Sequence, residues 1–150
     1  MAIDVEELLC EWEKDSKIND SALDQTTLRT AVLHSKYLEL YTVAKLKMKK
    51  KDLDLAVLKK DKWLYYNGKM TKDEMDSRGW KYDPFDGMAK PLKSDMEIYY
   101  STDSDIVEMK MQFEYISTYV DTCKEILDTL RWRHQTIRNI IDFKKFQAGV

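Results

Sequence analysis

The chain has 150 residues, 43% of them apolar and 35% charged, with four glycines, two prolines and a formal net charge of −2. That length suits one domain with a modest core and much exposed surface, and the scarcity of helix breakers points to an all-α protein with little or no sheet. Cys10 and Cys123 show no C-x-x-C spacing, no secretory signal precedes them, and no apolar run approaches bilayer length; this excludes a zinc or disulfide framework and a membrane span, and leads us to expect a soluble protein of a reducing cytoplasm.

In chain order, Asp4 stands as an N-cap ahead of Val5, Leu8, Leu9 and Trp12, whose spacing predicts a short acidic amphipathic helix within residues 1–17. Asn19-Asp20-Ser21 is a turn and capping cluster, and from 21 to 67 no Pro or Gly interrupts a long basic helical region that stops at Asn67-Gly68. Residues 68–93 hold three of the four glycines and both prolines and read as a loop region. Thr71 and Glu74 have capping-box spacing, although nothing after them sustains a long helix. Residues 94–149 form a C-terminal helical region, and the whole is expected to be a single helical domain.

The net charge conceals blocks of opposite sign. Residues 1–30 carry eight acidic residues against three basic ones, 36–72 carry eleven lysines against four acidic residues, 73–128 carry fourteen acidic against six basic, and 129–150 carry five basic residues against Asp142. The lysines are the informative feature. Lys45, Lys47, Lys49, Lys50 and Lys51 occupy several sides of a helix, so that stretch must be largely exposed, and a solvated helix normally mixes Glu with Lys at i,i+4 spacing. A phosphate backbone explains the bias better than solubility does. Lys59, Lys60, Lys62 and Lys69 interleave with Trp63, Tyr65 and Tyr66, offering cations beside flat rings on which unpaired bases could stack, which favours single strands over duplex. Rings at a helix end more often serve as core than as base platforms, and for Tyr65 and Tyr66 both roles stay open. Arg131, Arg133 and Arg138 around Trp132 make a second basic patch, either a further track for nucleic acid or cations favoured by a helix C-terminus.

From Ile106 the apolar pattern is regular: Ile106, Met109, Phe113, Ile116, Val120, Cys123, Leu127, Leu130, His134, Ile137 and Ile141 alternate steps of three and four. Such a seam packs knobs into holes, either inside one chain or between copies. A helix from about 104 to 146 exceeds what so short a chain can cover with its own partners, so we assign Ile106, Met109, Phe113, Ile116, Val120, Leu127, Leu130, Ile137 and Ile141 to self-association.

Catalytic constellations are missing from the sequence. His34 and His134 have no acidic or cysteine partner at ligand spacing, there is no phosphate-cradling glycine loop and no nucleophile elbow, and the pairs Asp52/Asp54 and Asp103/Asp105 read as solvated surface rather than metal ligands. We expect no enzyme activity, no cofactor and no metal.

Four stretches carry a resemblance: Asp15-Ser-Lys-Ile-Asn-Asp-Ser-Ala-Leu23, Ser35-Lys-Tyr-Leu38, Leu58-Lys-Lys-Asp-Lys-Trp-Leu-Tyr-Tyr-Asn-Gly68, and Ile141-Asp-Phe-Lys-Lys-Phe-Gln-Ala-Gly149. In this order and spacing the chain resembles the UvsY recombination mediators of T-even-type phages. The resemblance implies a helical subunit assembling into an open, heptameric ring that binds single-stranded DNA. In the host cell cytoplasm such a protein would help a RecA-like phage recombinase displace the phage single-strand-binding protein during recombination, repair and replication. It also places Lys60 and Lys62 where the family has a Lys-x-basic pair associated with single-strand binding, with Lys instead of Arg at the second position, which keeps the charge but loses the planar fork. The loop from Met70 to Leu92 is longer and more aromatic than the family's. The competing expectation is a non-enzymatic coiled-coil scaffold whose lysines merely balance acidic neighbours.

Overall fold

A computed structural model describes residues 2–150 and, among them, five helices and no strand: α1 (Val5–Asp15), α2 (Leu23–Tyr66), α3 (Lys72–Arg78), α4 (Met96–Thr102) and α5 (Ser104–Gln147). They pack as two units. The first holds the described residues up to Met48 together with Tyr115–Val150, and the second is Lys49–Glu114.

In the first unit, α1 begins where the Asp4 side chain accepts a hydrogen bond from the Glu7 amide at 3.1 Å, satisfying a free N–H of the first turn, and Glu6 and Glu7 add negative charge there. The first half of α2 runs antiparallel to the second half of α5. Tyr37 lies by Cys123, while Lys144, near the end of α5, donates to the Asp20 carbonyl just before α2. Leu33, Tyr37 and Ala44 on α2 and Tyr119, Val120, Cys123, Ile126, Leu127 and Leu130 on α5 recur at helical spacing and form the core with Leu8 of α1. Much of the heptad-patterned seam therefore lies in the chain's own interior: Val120, Leu127, Leu130 and Ile137 are buried in this unit, Ile116 is half-buried, and Ile141 is exposed. His134, the polar member of the pattern, also faces outward.

A polar centre fastens α1 to this core. The Asp15 carboxylate accepts hydrogen bonds from Arg29 at 3.0 Å, Lys36 at 2.7 Å and the Tyr37 hydroxyl at 2.9 Å, while buried Arg133 donates to the carbonyls of Asp15 at 3.1 Å and Lys17 at 3.2 Å. Arg133 thus serves as a tie for the chain leaving α1, and the second basic patch is left with Arg131 and Arg138 at its surface. Burial opposes the charge on Asp15, but the bonds from Lys36 and Tyr37 and the positive charges of Lys36 and Arg29 outweigh it and hold the carboxyl below its ordinary value.

In the second unit the loop region contains more order than its composition suggests. Thr71 and Glu74 complete a reciprocal capping box at the start of α3, and Gly79 ends that helix in the left-handed conformation (φ 69°), where a side chain would be strained. No residue of α3 is buried. The loop after it turns inward through Trp80 and Phe85, and α4 leads to Asp103, whose carboxylate accepts from the amides of Asp105 at 3.0 Å and Ile106 at 3.1 Å and so caps α5.

Because the folded Asp15 value is depressed, its contribution to stability is present above the unfolded carboxylate value and is lost as pH falls through the folded one. Asp15→Asn is expected to cost roughly 2 kcal/mol at pH 7 and to flatten the loss of stability on acidification below about pH 4. Denaturant titrations at pH 7 and pH 3 measure both, and a variant whose stability follows the same pH curve as the parent would contradict the role given to this carboxylate.

Candidate nucleic-acid interface

The lysine-rich stretch is helical throughout α2. Lys45 and Lys47, in the first unit, are exposed, with the Lys45 ammonium 5.5 Å from the Tyr41 ring centre. In the second unit Lys49, Lys50, Lys59, Lys60 and Lys69 are exposed, and half-buried Lys51 donates to the Gln112 side chain at 3.1 Å. The side chains of Lys49, Lys50 and Lys60 make no hydrogen bond or ion pair with any described residue. Lys49 and Lys60 are eleven residues apart, three turns of helix, and so share a side. Their charges face solvent uncompensated.

Lys62 is placed differently. It is 3% exposed, and its ammonium lies 3.0 Å from Asp103, 2.8 Å from Asp105 and 3.9 Å from the centre of the Trp80 ring. Trp80 closes the arrangement by donating its indole N–H to Asp105 at 2.9 Å, and the Tyr66 hydroxyl donates to Asp103 at 2.7 Å. Burial alone would raise the Asp103 carboxyl; the bonds from Tyr66, Lys62 and the Ile106 amide hold it below the ordinary value instead. Burial and the bond to Asp103 push the Tyr66 hydroxyl well up. Lys62 thus has two carboxylates and an aromatic face in place of solvent.

The three aromatic residues that follow separate in the same way. Trp63 is 44% exposed, with the Lys69 ammonium 4.6 Å from its ring centre. Tyr65 is buried, donates its hydroxyl to the Lys81 carbonyl at 2.8 Å and packs 5.1 Å from both Tyr66 and Trp80. Tyr66 sits among Phe85, Tyr99 and Tyr100. These partners come from the loop and α4, and the sequence signal that announced them was the density of aromatic residues between Trp80 and Tyr100. Asp103 and Asp105, read from sequence as solvated, are drawn inward because Asp103 precedes the helix as its cap and Asp105 lies in its first turn. Of the seam residues in this unit, Ile106 is buried and Met109 and Phe113 are half-buried.

Among the described residues no group of three or more His, Cys, Asp or Glu side chains is placed to hold a metal, and no helix is long and apolar enough to cross a membrane. What the surface offers is cations on a helix beside one open indole.

Removing one partner of a buried ion pair leaves the other uncompensated. Lys62→Ala is expected to cost about 3 kcal/mol in chemical denaturation, toward the low end for such a loss because Asp103 keeps Tyr66 and two amides. Lys60→Ala should change stability by less than about 0.5 kcal/mol, as an exposed side chain without partners. Equal losses would contradict the different placements of the two lysines.

Comparison with known proteins bears on the family to which the chain belongs. The recombination protein uvsY of Enterobacteria phage T4 is 27% identical over 145 residues, covering 97% of this chain and 98% of that protein. Two crystal forms of the bacteriophage T4 recombination mediator protein UvsY superpose with TM-scores of 0.82 and 0.80 at 26% identity, covering 98% and 94% of this chain and 99% and 98% of theirs. A family model described as recombination, repair and ssDNA binding protein UvsY matches residues 11–150, and the chain belongs to that family.

Proposed function

We propose that this protein holds single-stranded DNA on the exposed lysines of α2 and, as a recombination mediator, helps a RecA-like recombinase nucleate on DNA covered by a single-strand-binding protein. The observation that carries the reading is the set Lys49, Lys50, Lys59 and Lys60: exposed charges of one sign on one helix, outside any ion pair with a described residue. Family membership supplies the class of ligand, and the T4 relative, described as a recombination mediator, supplies the role. In this reading Lys62 positions the surface from within, and the phosphate contacts belong to its exposed neighbours.

Self-association fits the same reading. With Val120, Leu127, Leu130 and Ile137 committed to the chain's own core, the exposed apolar groups of the first unit that could meet another copy include Leu28 and Val32, one turn apart on α2, and Trp132, Ile141, Phe143 and Phe146 on α5. A ring of such subunits would repeat the lysine surface around one strand. Individually weak phosphate contacts then add up to tight binding while each still releases quickly, which suits a protein that hands DNA on.

Each phosphate contact on a single strand contributes about 0.7 to the slope of log affinity against log salt. Lys49→Ala/Lys50→Ala/Lys60→Ala should therefore weaken single-strand binding and reduce that slope by about 2, as read by fluorescence anisotropy over a salt series. The same variant should fail to stimulate filament nucleation by the recombinase on protein-coated single strands. A parent protein that ignores oligonucleotides at low salt would leave a helical scaffold, and an unchanged slope would move the contact elsewhere.

A further inference from the structure

Trp63 lines two clefts of the second unit. One, of about 220 Å³, also has Lys59, Lys110 and Tyr100 in its wall; the other, of about 640 Å³, has Lys90, Lys93 and Tyr100. Lys69 adds a cation above the indole itself. None of these five lysines is in an ion pair with a described residue, and Lys90 bonds only the neutral Asn67 side chain, at 2.7 Å. Among the lining residues of both clefts Glu97 is the acid. Lys90, Lys93 and Lys110 come from the stretch that is acidic as a whole, so the fold collects at Trp63 a positive charge that the linear sequence disperses.

An open indole ringed by ammonium groups matches a ligand that combines a flat apolar ring with negative charge at its edges. A nucleotide of single-stranded DNA has both, whereas a base within a duplex keeps its faces covered by its neighbours. The neighbouring rings Tyr65 and Tyr66 are held inside, which leaves Trp63 as the platform of that aromatic run.

From this geometry we infer that the paired clefts seat an unstacked base of single-stranded DNA against Trp63, with its flanking phosphates held by Lys59 and Lys110 on one side and by Lys69, Lys90 and Lys93 on the other. The inference rests on the single-strand reading above and adds to it a contact with the base itself. Such a seat is tolerant of sequence, because every base has a face to stack.

The test compares oligo-dT with an abasic oligonucleotide of the same length, whose backbone carries the same charge. The parent protein should bind oligo-dT about tenfold more tightly, within the range expected for stacking one base. Trp63→Ala and Trp63→Leu should bring that ratio close to one while leaving the abasic affinity unchanged, and Trp63→Phe should retain most of it. Lys93→Ala/Lys110→Ala should weaken both ligands alike. Because Trp63 is 44% exposed, these variants leave the buried aromatic cluster in place, and an unchanged helical circular dichroism spectrum verifies this. Equal affinity of the parent for both oligonucleotides, or an unchanged ratio in both Trp63→Ala and Trp63→Leu, overturns the base seat while salt-sensitive binding preserves the broader reading. Absence of binding to either ligand at low salt removes both.

Discussion

Within the second unit, three segments distant in sequence meet at one ammonium group. Lys62 on α2 sits against Asp103 and Asp105 at the start of α5 and beneath Trp80 from the loop between α3 and α4. Taking a lysine out of water is costly, and the cost is offset here by two carboxylates, an aromatic face and the hydrogen bonds that occupy the carboxylates' remaining lone pairs. The direction in which Lys62 points sets the rest. With it turned inward, Tyr65 and Tyr66 follow into the aromatic cluster, while Lys59, Lys60 and Trp63 are left on the outside of the same helix.

The helical organisation was largely legible in the sequence because its signals are local. Asp4 as an N-cap, the Thr71/Glu74 capping box and the uninterrupted run from 21 to 67 each depend on residues within a turn or on the absence of a breaker, and α1, α3 and α2 follow them. The short α3 ends where Gly79 supplies a left-handed residue, which explains why the capping box led to so brief a helix. The exposed lysines were also legible, since five cations within seven residues cannot all be turned inward.

The placement of Lys62 was not. In the sequence it is one more member of a basic run, and what turns it inward is a pair of aspartates some forty residues further on and an indole from a loop without periodicity. The regular pattern on α5 gave the same difficulty in reverse: heptad spacing specifies an apolar stripe without saying whether the same chain or another copy covers it, and here α2 covers much of the part in the first unit. The convergence of Lys90, Lys93 and Lys110 on Trp63 likewise has no linear signature. A surface built this way sets exposed cations and an open ring over a buried polar and aromatic interior.

In the proposed function Lys62 belongs to the interior while its neighbours on α2 hold the strand, and lysine acetylation footprinting with and without single-stranded DNA, read by mass spectrometry, separates the two roles. Lys49, Lys50, Lys59 and Lys60 should react in the free protein and be protected by DNA, whereas Lys62 should stay unreactive in both states. Acetylation of Lys62 in the free protein with protection on binding, or a pattern at the other four that is indifferent to DNA, would contradict it.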